Sequence, residues 1–309
     1  MPFDIVLTGV GALSPFGARD AFYRAFAGAS DAVATARAGV ALTDVLGVTN
    51  AKLRIARYLD PVAKNAIVAL EEAMADAGIT AGDVARDPYG YAIVLGATRG
   101  PQETRTKAYE QLRARDGKLL SSTLFSNVGY NIAAGMSAIA HGIKGPNLTL
   151  AAGSNLSLHL LRRARQLLNT GRVHTVFAGF SESRVPAAPL WQWAYIVCLE
   201  GPERAQQRGA AGRALAEIEP AFPEAPSTLL DRRAIRLPHP LPQPLLPEVL
   251  AAAETVDLDC RESFGMAAEF LPLIQAGRMK ASGLGTEDGH IAFPIRTRSG
   301  ISLLGVDRA

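Results

Sequence analysis

The sequence predicts an α/β fold, and three observations carry that prediction. Short β-rich runs alternate with helical stretches through the first 182 residues. Glycines punctuate the ends of those stretches. The composition, 48% hydrophobic and 20% charged over 309 residues, supplies enough apolar material for a sizeable core. Strands that alternate with helices imply a largely parallel, buried sheet.

Taken in order, Ile5–Leu7 is β-rich and runs into Gly9-Val-Gly-Ala-Leu-Ser-Pro-Phe-Gly17, which reads as a turn before a helical stretch to about Ala27. Residues 61–78 open on Pro61, place Ile67, Leu70, Met74 and Ala77 at helical spacing, and close on Gly78, so they predict a helix. Tyr91–Leu95 predicts a strand ending in Gly96-Ala-Thr-Arg-Gly100. Residues 102–114 and 128–141 predict two helices, the second rich in Gly and Ala. Gly145-Pro146 predicts a turn, Leu148–Ala151 a strand, Gly153-Ser-Asn155 a tight corner, and 156–168 a helix with Leu156, Leu160, Ala164 and Leu167 on one face. Strands follow at Thr175–Ala178, Tyr195–Leu199 and Ala214–Ile218. Eight of the nineteen prolines lie between Pro220 and Pro247, too many for a helix or a central strand. Helical spacing returns at 265–276, and Ile291–Ile295 and Ile301–Val306 predict the last strands.

Composition excludes several classes. The net charge is +3 with charges mixed along the chain, and aromatics are only 6%, which disfavours nucleic-acid binding. A mildly basic surface suits an acidic protein partner equally well. Two cysteines, Cys198 and Cys260, make neither a disulfide framework nor a zinc site. No apolar run approaches a membrane span and no basic leader precedes Asp4, so the expectation is a cytoplasmic protein without metal or cofactor.

Ala152-Gly-Ser-Asn155 has the local shape of a nucleophile elbow, in which a strand feeds a helix and lifts Ser154 toward the helix's N-terminal amides. The bland alternative is that Ser154 or Asn155 is an N-cap. A serine nucleophile needs a base. Of His141, His159, His174, His239 and His290, the best-placed base is His290, which follows a turn in Asp288-Gly-His290, while His141 and His174 flank turns and read as solvated; none has local support. Gly9-x-Gly11 lacks the third glycine and the acidic residue of a dinucleotide fingerprint. Glu71/Glu72 and Arg162, Arg163 and Arg165 read as solvated helix faces.

Four segments together resemble a known family. Val6-Leu-Thr-Gly-Val-Gly-Ala-Leu-Ser-Pro-Phe-Gly17, Asn131-Ile-Ala-Ala-Gly135, Gly142-Ile-Lys-Gly-Pro-Asn147 and Val176-Phe-Ala-Gly-Phe-Ser-Glu182 resemble, in order and spacing, the landmarks of the β-ketoacyl-acyl-carrier-protein synthases. The resemblance implies a thiolase-like five-layer α-β-α-β-α sandwich, with an N-terminal half at 1–182 and a shortened C-terminal half at 183–309 that contains the Pro-rich segment 220–247. It places the family's nucleophilic cysteine at Ser154. The family's H-G-T-G-T motif has no counterpart, Asp257–Phe264 holds neither the lysine nor the histidine of its K…G-H motif, and the glycine-rich gate is replaced by Phe293–Arg298.

Loss of cysteine, histidines and gate together implies a pseudo-ketosynthase of chain-length-factor type from type II polyketide synthases. Such a subunit forms a heterodimer with an active ketosynthase and shapes its acyl tunnel. The resemblance further implies that Thr98, Arg99, Leu124, Phe125 and Asn131 border the tunnel and the interface, and that Leu148–Ala151 pairs across the dimer axis. An acyl carrier protein is an expected further partner, with Arg162, Arg163 and Arg165 as an acidic-protein docking face. Two alternatives stay open: a serine-dependent acyltransferase or hydrolase using Ser154, and a homodimer that binds acyl chains or carrier protein.

Overall fold

The computed structural model describes residues 5–14, 17–18, 58–151, 156–182, 193–210, 212–218, 235–237, 290–297 and 300–308. The strands are β1 (Ile5–Ser14), β2 (Gly17–Ala18), β3 (Tyr91–Gly96), β4 (Asn147–Leu150), β5 (Thr175–Glu182), β6 (Trp193–Glu200), β7 (Arg213–Ile218), β8 (Ile235–Leu237), β9 (His290–Thr297) and β10 (Gly300–Arg308). The helices are α1 (Pro61–Asp76), α2 (Ala81–Arg86), α3 (Gln102–Ala114), α4 (Ser122–Asn127), α5 (Ile132–His141), α6 (Leu156–Asn169) and α7 (Pro202–Gln207). The helical expectations at 18–27 and 265–276 fall outside the described residues, as do Ser154 and most of the Pro-rich segment.

One mixed sheet runs β4-β3-β5-β6-β1-β7-β10-β9-β8, with β2 against β1. Only β3–β4 and β3–β5 are parallel pairs among the described strands. The sheet is therefore not largely parallel, as the alternation had suggested. The reason is connection length: only ten residues, 183–192, separate β5 from β6, too few for a crossover, so β6 returns antiparallel to β5. The expected boundary between halves, at 182/183, falls between these two neighbouring strands. Beyond β1, the described part of the second half consists of β7, β10, β9 and β8, all antiparallel. Among the described residues, the strand inside the Pro-rich segment is β8, the last strand of the sheet order, where prolines are tolerated.

Helix α1 begins as read. Pro61 is its first residue, and Asp60 Oδ1 caps it by accepting from the Val62 N–H at 3.0 Å. Ala66, Ile67, Ala69, Leu70 and Ala73 are fully buried. With α5, this helix covers the sheet face that carries Tyr91, Ile93, Leu95, Phe177, Ile196 and Cys198. The other face carries Gly96, against which Leu156 and Leu160 of α6 pack. Helices on both faces make the N-terminal part the α/β architecture the sequence predicts.

The glycines near the N-terminus do something other than turn the chain. β1 runs straight through Gly9 and Gly11, with a single bulge between Leu7 and Gly9. A Cβ on Gly11 would overlap the Ala69 carbonyl oxygen, and one on Gly9 would overlap that of Ala73. Their role is to let α1 lie directly on β1. The expected turn is thus a strand, and the reason is close packing 60 residues away in sequence.

Candidate functional site at the carboxyl ends of the parallel strands

Crevices outside the carboxyl ends of parallel strands are where α/β sheets bind ligands. Here Gly96 of β3 is in register with Leu150 of β4 and with Phe180 of β5. The segment that contains Ser154 connects β4 to α6 at this end; Ser154 itself lies outside the described residues. The loop after β3 brings Thr98 and Arg99 to the same end.

That loop is pinned by a buried carboxylate. Glu182, the last residue of β5, is 7% exposed. Its Oε1 accepts from the Thr98 N–H at 2.5 Å and the Thr98 hydroxyl at 2.8 Å, and its Oε2 accepts from the Arg99 N–H at 3.4 Å. Burial pushes the Glu182 carboxyl above its ordinary value, against the opposing pull of these donors. A second carboxylate works alongside. Asp60, 1% exposed, caps α1 and also accepts from the Thr104 N–H in the first turn of α3 at 2.9 Å; burial raises its pKa too. Ser181 donates its hydroxyl to the Val62 carbonyl at 2.7 Å, tying β5 to the start of α1. Three helix and strand ends are thus fixed around one loop by groups that spacing alone did not single out. The signal available was an acidic residue closing each apolar or helical run: Asp60 before Pro61, and Glu182 after a fully buried strand.

The remaining expected residues sit on the outer side of this loop. Arg105 donates to the Arg99 carbonyl and to the Tyr130 hydroxyl, both at 3.3 Å, and lies over the Tyr130 ring at 5.5 Å. Leu124 is half-buried and Phe125 exposed on α4, a helix that the sequence reading did not predict. Asn131 is exposed at the N-cap of α5, where its side chain makes no capping bond. Thr98 and Arg99 sit on the loop that Glu182 holds, whereas Leu124, Phe125 and Asn131 come from α4 and the start of α5.

His141 is buried rather than solvated: its Nδ1 lies 2.9 Å from the Ser137 carbonyl and its Nε2 3.0 Å from Glu71 Oε2. Glu71 is therefore engaged, and Glu72 Oε2 accepts from the Ala12 N–H at 2.7 Å, so neither is simply a solvated face. The physical reason is that β1 has no partner on one side between its pairing with β7, which ends at Leu7, and its pairing with β2, which begins at Leu13, among the described strands, and α1 supplies acceptors there: Asp76 does the same for the Val10 N–H. His174 stands at the opposite end of the sheet, half-buried between Thr175 Oγ1 and Asp87, and burial lowers its pKa. His159 is exposed on α6. His290 opens β9, and nothing is described of its side chain. Among the described residues no cluster of His, Cys, Asp and Glu is suited to a metal.

A buried ion pair marks that opposite end as structural. Glu200, fully buried, accepts from Arg208 Nε at 3.0 Å and Nη2 at 2.9 Å, and from Thr175 Oγ1 at 3.1 Å. Arg208 Nη2 also donates to the Ala77 carbonyl at the end of α1, at 2.8 Å. A bidentate pair with its spare donor used is the form in which a charge survives burial.

Charge is not mixed evenly along the chain, contrary to the sequence reading. Residues 117–181 carry Lys118, Lys144, Arg162, Arg163, Arg165 and Arg172 and no Asp or Glu. On α6, Arg162 and Arg163 are exposed and Arg165 half-buried. With His159 and Gln166, the two exposed arginines line a cavity of about 370 Å³ against Thr149, Leu150 and Ala151. No helix among the described residues is long and apolar enough to cross a membrane.

Comparison with known proteins gives the chain its family. The model of the beta-ketoacyl synthase N-terminal domain matches residues 46–217, more than half of the chain. The chain is 26% identical to 3-oxoacyl-[acyl-carrier-protein] synthase 1 of Haemophilus influenzae over 130 residues, 42% of this chain and 32% of that one. It is also 26% identical to 3-oxoacyl-[acyl-carrier-protein] synthase 2 of Staphylococcus aureus (strain N315) over 248 residues, 67% of this chain and 59% of that one. The chain thus spans from about a third to three fifths of the length of these curated relatives.

Among solved structures, a type II polyketide synthase acyl-carrier protein in complex with its ketosynthase matches with a TM-score of 0.67 at 13% identity, covering all of both chains. A beta-ketoacyl synthase from Burkholderia phymatum STM815 matches with a TM-score of 0.61 at 15% identity over 99% of each. The ishigamide ketosynthase/chain length factor matches with a TM-score of 0.52 at 19% identity, over 72% of this chain and 66% of that one. At these identities the structures show the fold, which is thiolase-like. By its sequence match and its architecture, the chain belongs to the beta-ketoacyl synthase family through that family's N-terminal domain.

Proposed function

We propose that this chain is a non-catalytic, ketosynthase-like subunit that pairs with an active β-ketoacyl-acyl-carrier-protein synthase and shapes its acyl tunnel in polyketide- or fatty-acid-type biosynthesis. What carries the reading is the serine at 154, where the resemblance puts the family's cysteine. Condensation needs a nucleophile that is appreciably ionised near neutral pH, which a thiol beside helix amides achieves and a hydroxyl without a base does not. Two histidines support the same reading: His141 is held by the Ser137 carbonyl and Glu71, and His174 stands at the opposite end of the sheet beside Thr175 and Asp87. The likeness in fold to a ketosynthase/chain length factor is consistent with a pairing role.

On this reading the rigid loop at Thr98–Arg99 and the surface bearing Leu124, Phe125 and Asn131 are the parts that meet the partner's tunnel. An acyl carrier protein reaches the assembled pair rather than this subunit alone. The test is co-expression with the ketosynthase encoded nearest to it, followed by size-exclusion chromatography with light scattering. A one-to-one complex, with Ser154→Ala leaving its product yield unchanged, is the expected result. A chain that ignores the ketosynthase and whose Ser154 is labelled by a fluorophosphonate would instead establish serine acyl transfer or hydrolysis.

A further inference from the structure

At the end of the sheet opposite the Thr98–Arg99 loop, β3 and β5 begin side by side, with Tyr91 in register with Thr175. A chain of hydrogen bonds crosses this end and fixes the state of His174. Glu200 is a carboxylate with Arg208 on both oxygens, so toward Thr175 it can only accept. The Thr175 hydroxyl donates its one proton to Glu200 Oε1 at 3.1 Å. What Thr175 Oγ1 offers to His174 is therefore a lone pair, and His174 Nδ1, 2.9 Å away, carries the hydrogen. In the neutral ring that leaves Nε2 without one.

Nε2 faces Asp87 Oδ2 at 3.3 Å, on the turn between α2 and β3. The Gly90 N–H aims that carboxylate by donating to its Oδ1 at 3.1 Å. A Cβ on Gly90 would lie 2.3 Å from Asp87 Oδ2 and 2.4 Å from His174 Nε2, so the glycine leaves the room in which the two groups meet. With a neutral ring, two acceptors face each other with no hydrogen between them. One proton on Nε2 turns that contact into a charge-assisted hydrogen bond. The turn is also tied to its neighbours: the His174 N–H donates to the Gly90 carbonyl at 2.9 Å, and the Lys144 N–H, on the approach to β4, donates to the Pro88 carbonyl at 2.8 Å.

The other groups around the ring are Tyr91 of β3, edge-on at 4.7 Å between centroids, Arg204 of α7, and Glu200 of β6 behind Thr175. Burial and the Arg204 charge outweigh Asp87 and Glu200 and lower the pKa of His174, so the contact stays open near neutrality.

We infer that Thr175 and Glu200 hold His174 as its Nδ1–H tautomer, and that a proton on Nε2 closes a clasp to Asp87 that fixes the turn before β3 to the start of β5. The clasp is operated by acid and lies where the parallel strands begin. It is independent of the pairing reading above.

The test is long-range proton–nitrogen NMR of the imidazole rings in the labelled full chain, from about pH 8 down to about pH 4, with His174→Gln to identify the signals. Near neutrality His174 is expected as the Nδ1–H tautomer. An Nε2–H ring, or an even mixture of the two, overturns the tautomer and the clasp with it. Asp87→Asn, a change at an exposed side chain, is expected to lower the titration midpoint of His174 by about half a pH unit. Gly90→Ala keeps both charges but puts a methyl group between them, and is expected to lower the midpoint as well. An unchanged midpoint in Asp87→Asn overturns the clasp. So does a midpoint that falls in Asp87→Asn and not in Gly90→Ala, because it would follow charge alone and not contact.

Discussion

Glu182 and Thr98, 84 residues apart in sequence, are joined by two hydrogen bonds to one carboxylate oxygen, from the Thr98 N–H at 2.5 Å and its hydroxyl at 2.8 Å. The contact fixes the loop after β3 to the end of β5, and so sets the wall beside the β4–α6 connection.

Removing that acceptor takes three hydrogen bonds from the loop after β3. Glu182→Ala leaves the Thr98 and Arg99 N–H groups without their carboxylate and is expected to cost about 2–4 kcal/mol. Glu182→Gln keeps one acceptor oxygen for Thr98 and loses only the longer bond to Arg99, so its cost is expected to be about 1 kcal/mol. Denaturant midpoints at constant m-value check both. Equal losses for the two variants would contradict the assigned contacts.

The pH dependence follows from burial. Glu182 and Asp60 hold their protons more readily in the folded chain than in the unfolded one. As pH rises from the ordinary carboxylate range through the raised values, these two groups therefore subtract stability, and above that window their contribution is level. His174 acts in the opposite sense. Its lowered pKa means that stability present above 6.5 is lost as pH falls from there through the lowered value. Unfolding free energies of wild type minus Glu182→Gln, measured from about pH 4 to 7, are expected to fall with rising pH; a flat difference would show that the carboxyl is not perturbed.

Two glycines give opposite predictions. Gly11→Ala pushes a methyl group into the Ala69 carbonyl and the Ala73 backbone N, atoms of a packed helix that cannot step aside, and is expected to destabilise by about 3 kcal/mol or more. Gly135→Ala, inside α5 with open space around the new Cβ, is expected to stabilise by about 0.5–1 kcal/mol through helix propensity. Thermal melts of the two variants distinguish close packing from conformational freedom as the reason each glycine is there.

Arg208→Ala leaves Glu200 buried without its counter-charge and is expected to cost about 3–5 kcal/mol. Adding Glu200→Gln to that variant is expected to recover a large part of the loss, because a neutral amide is easier to bury than an unpaired carboxylate. A double-mutant cycle measures the coupling; additive losses would mean that the two side chains act independently.

What the sequence determined by itself was whatever depends on neighbours in the chain. Pro61 and Asp60 start α1, the apolar spacing of Leu156, Leu160 and Ala164 makes α6, and continuous apolar runs make β3 and β5, all through local backbone and side-chain preferences. The ordered landmarks from Val6 to Glu182 were equally legible, and they carried the family. Tertiary structure decided what those preferences leave open. Gly9 and Gly11 look like a turn until α1 is laid on them. Glu71, Glu72 and His141 look solvated until β1 needs acceptors and α5 packs beside α1. The direction of β6, the grip of Glu182 on Thr98, and the meeting of Asp87 with His174 all join residues far apart in the chain. No periodicity records such pairings, because they are fixed by which buried polar group must find a partner once the core has closed.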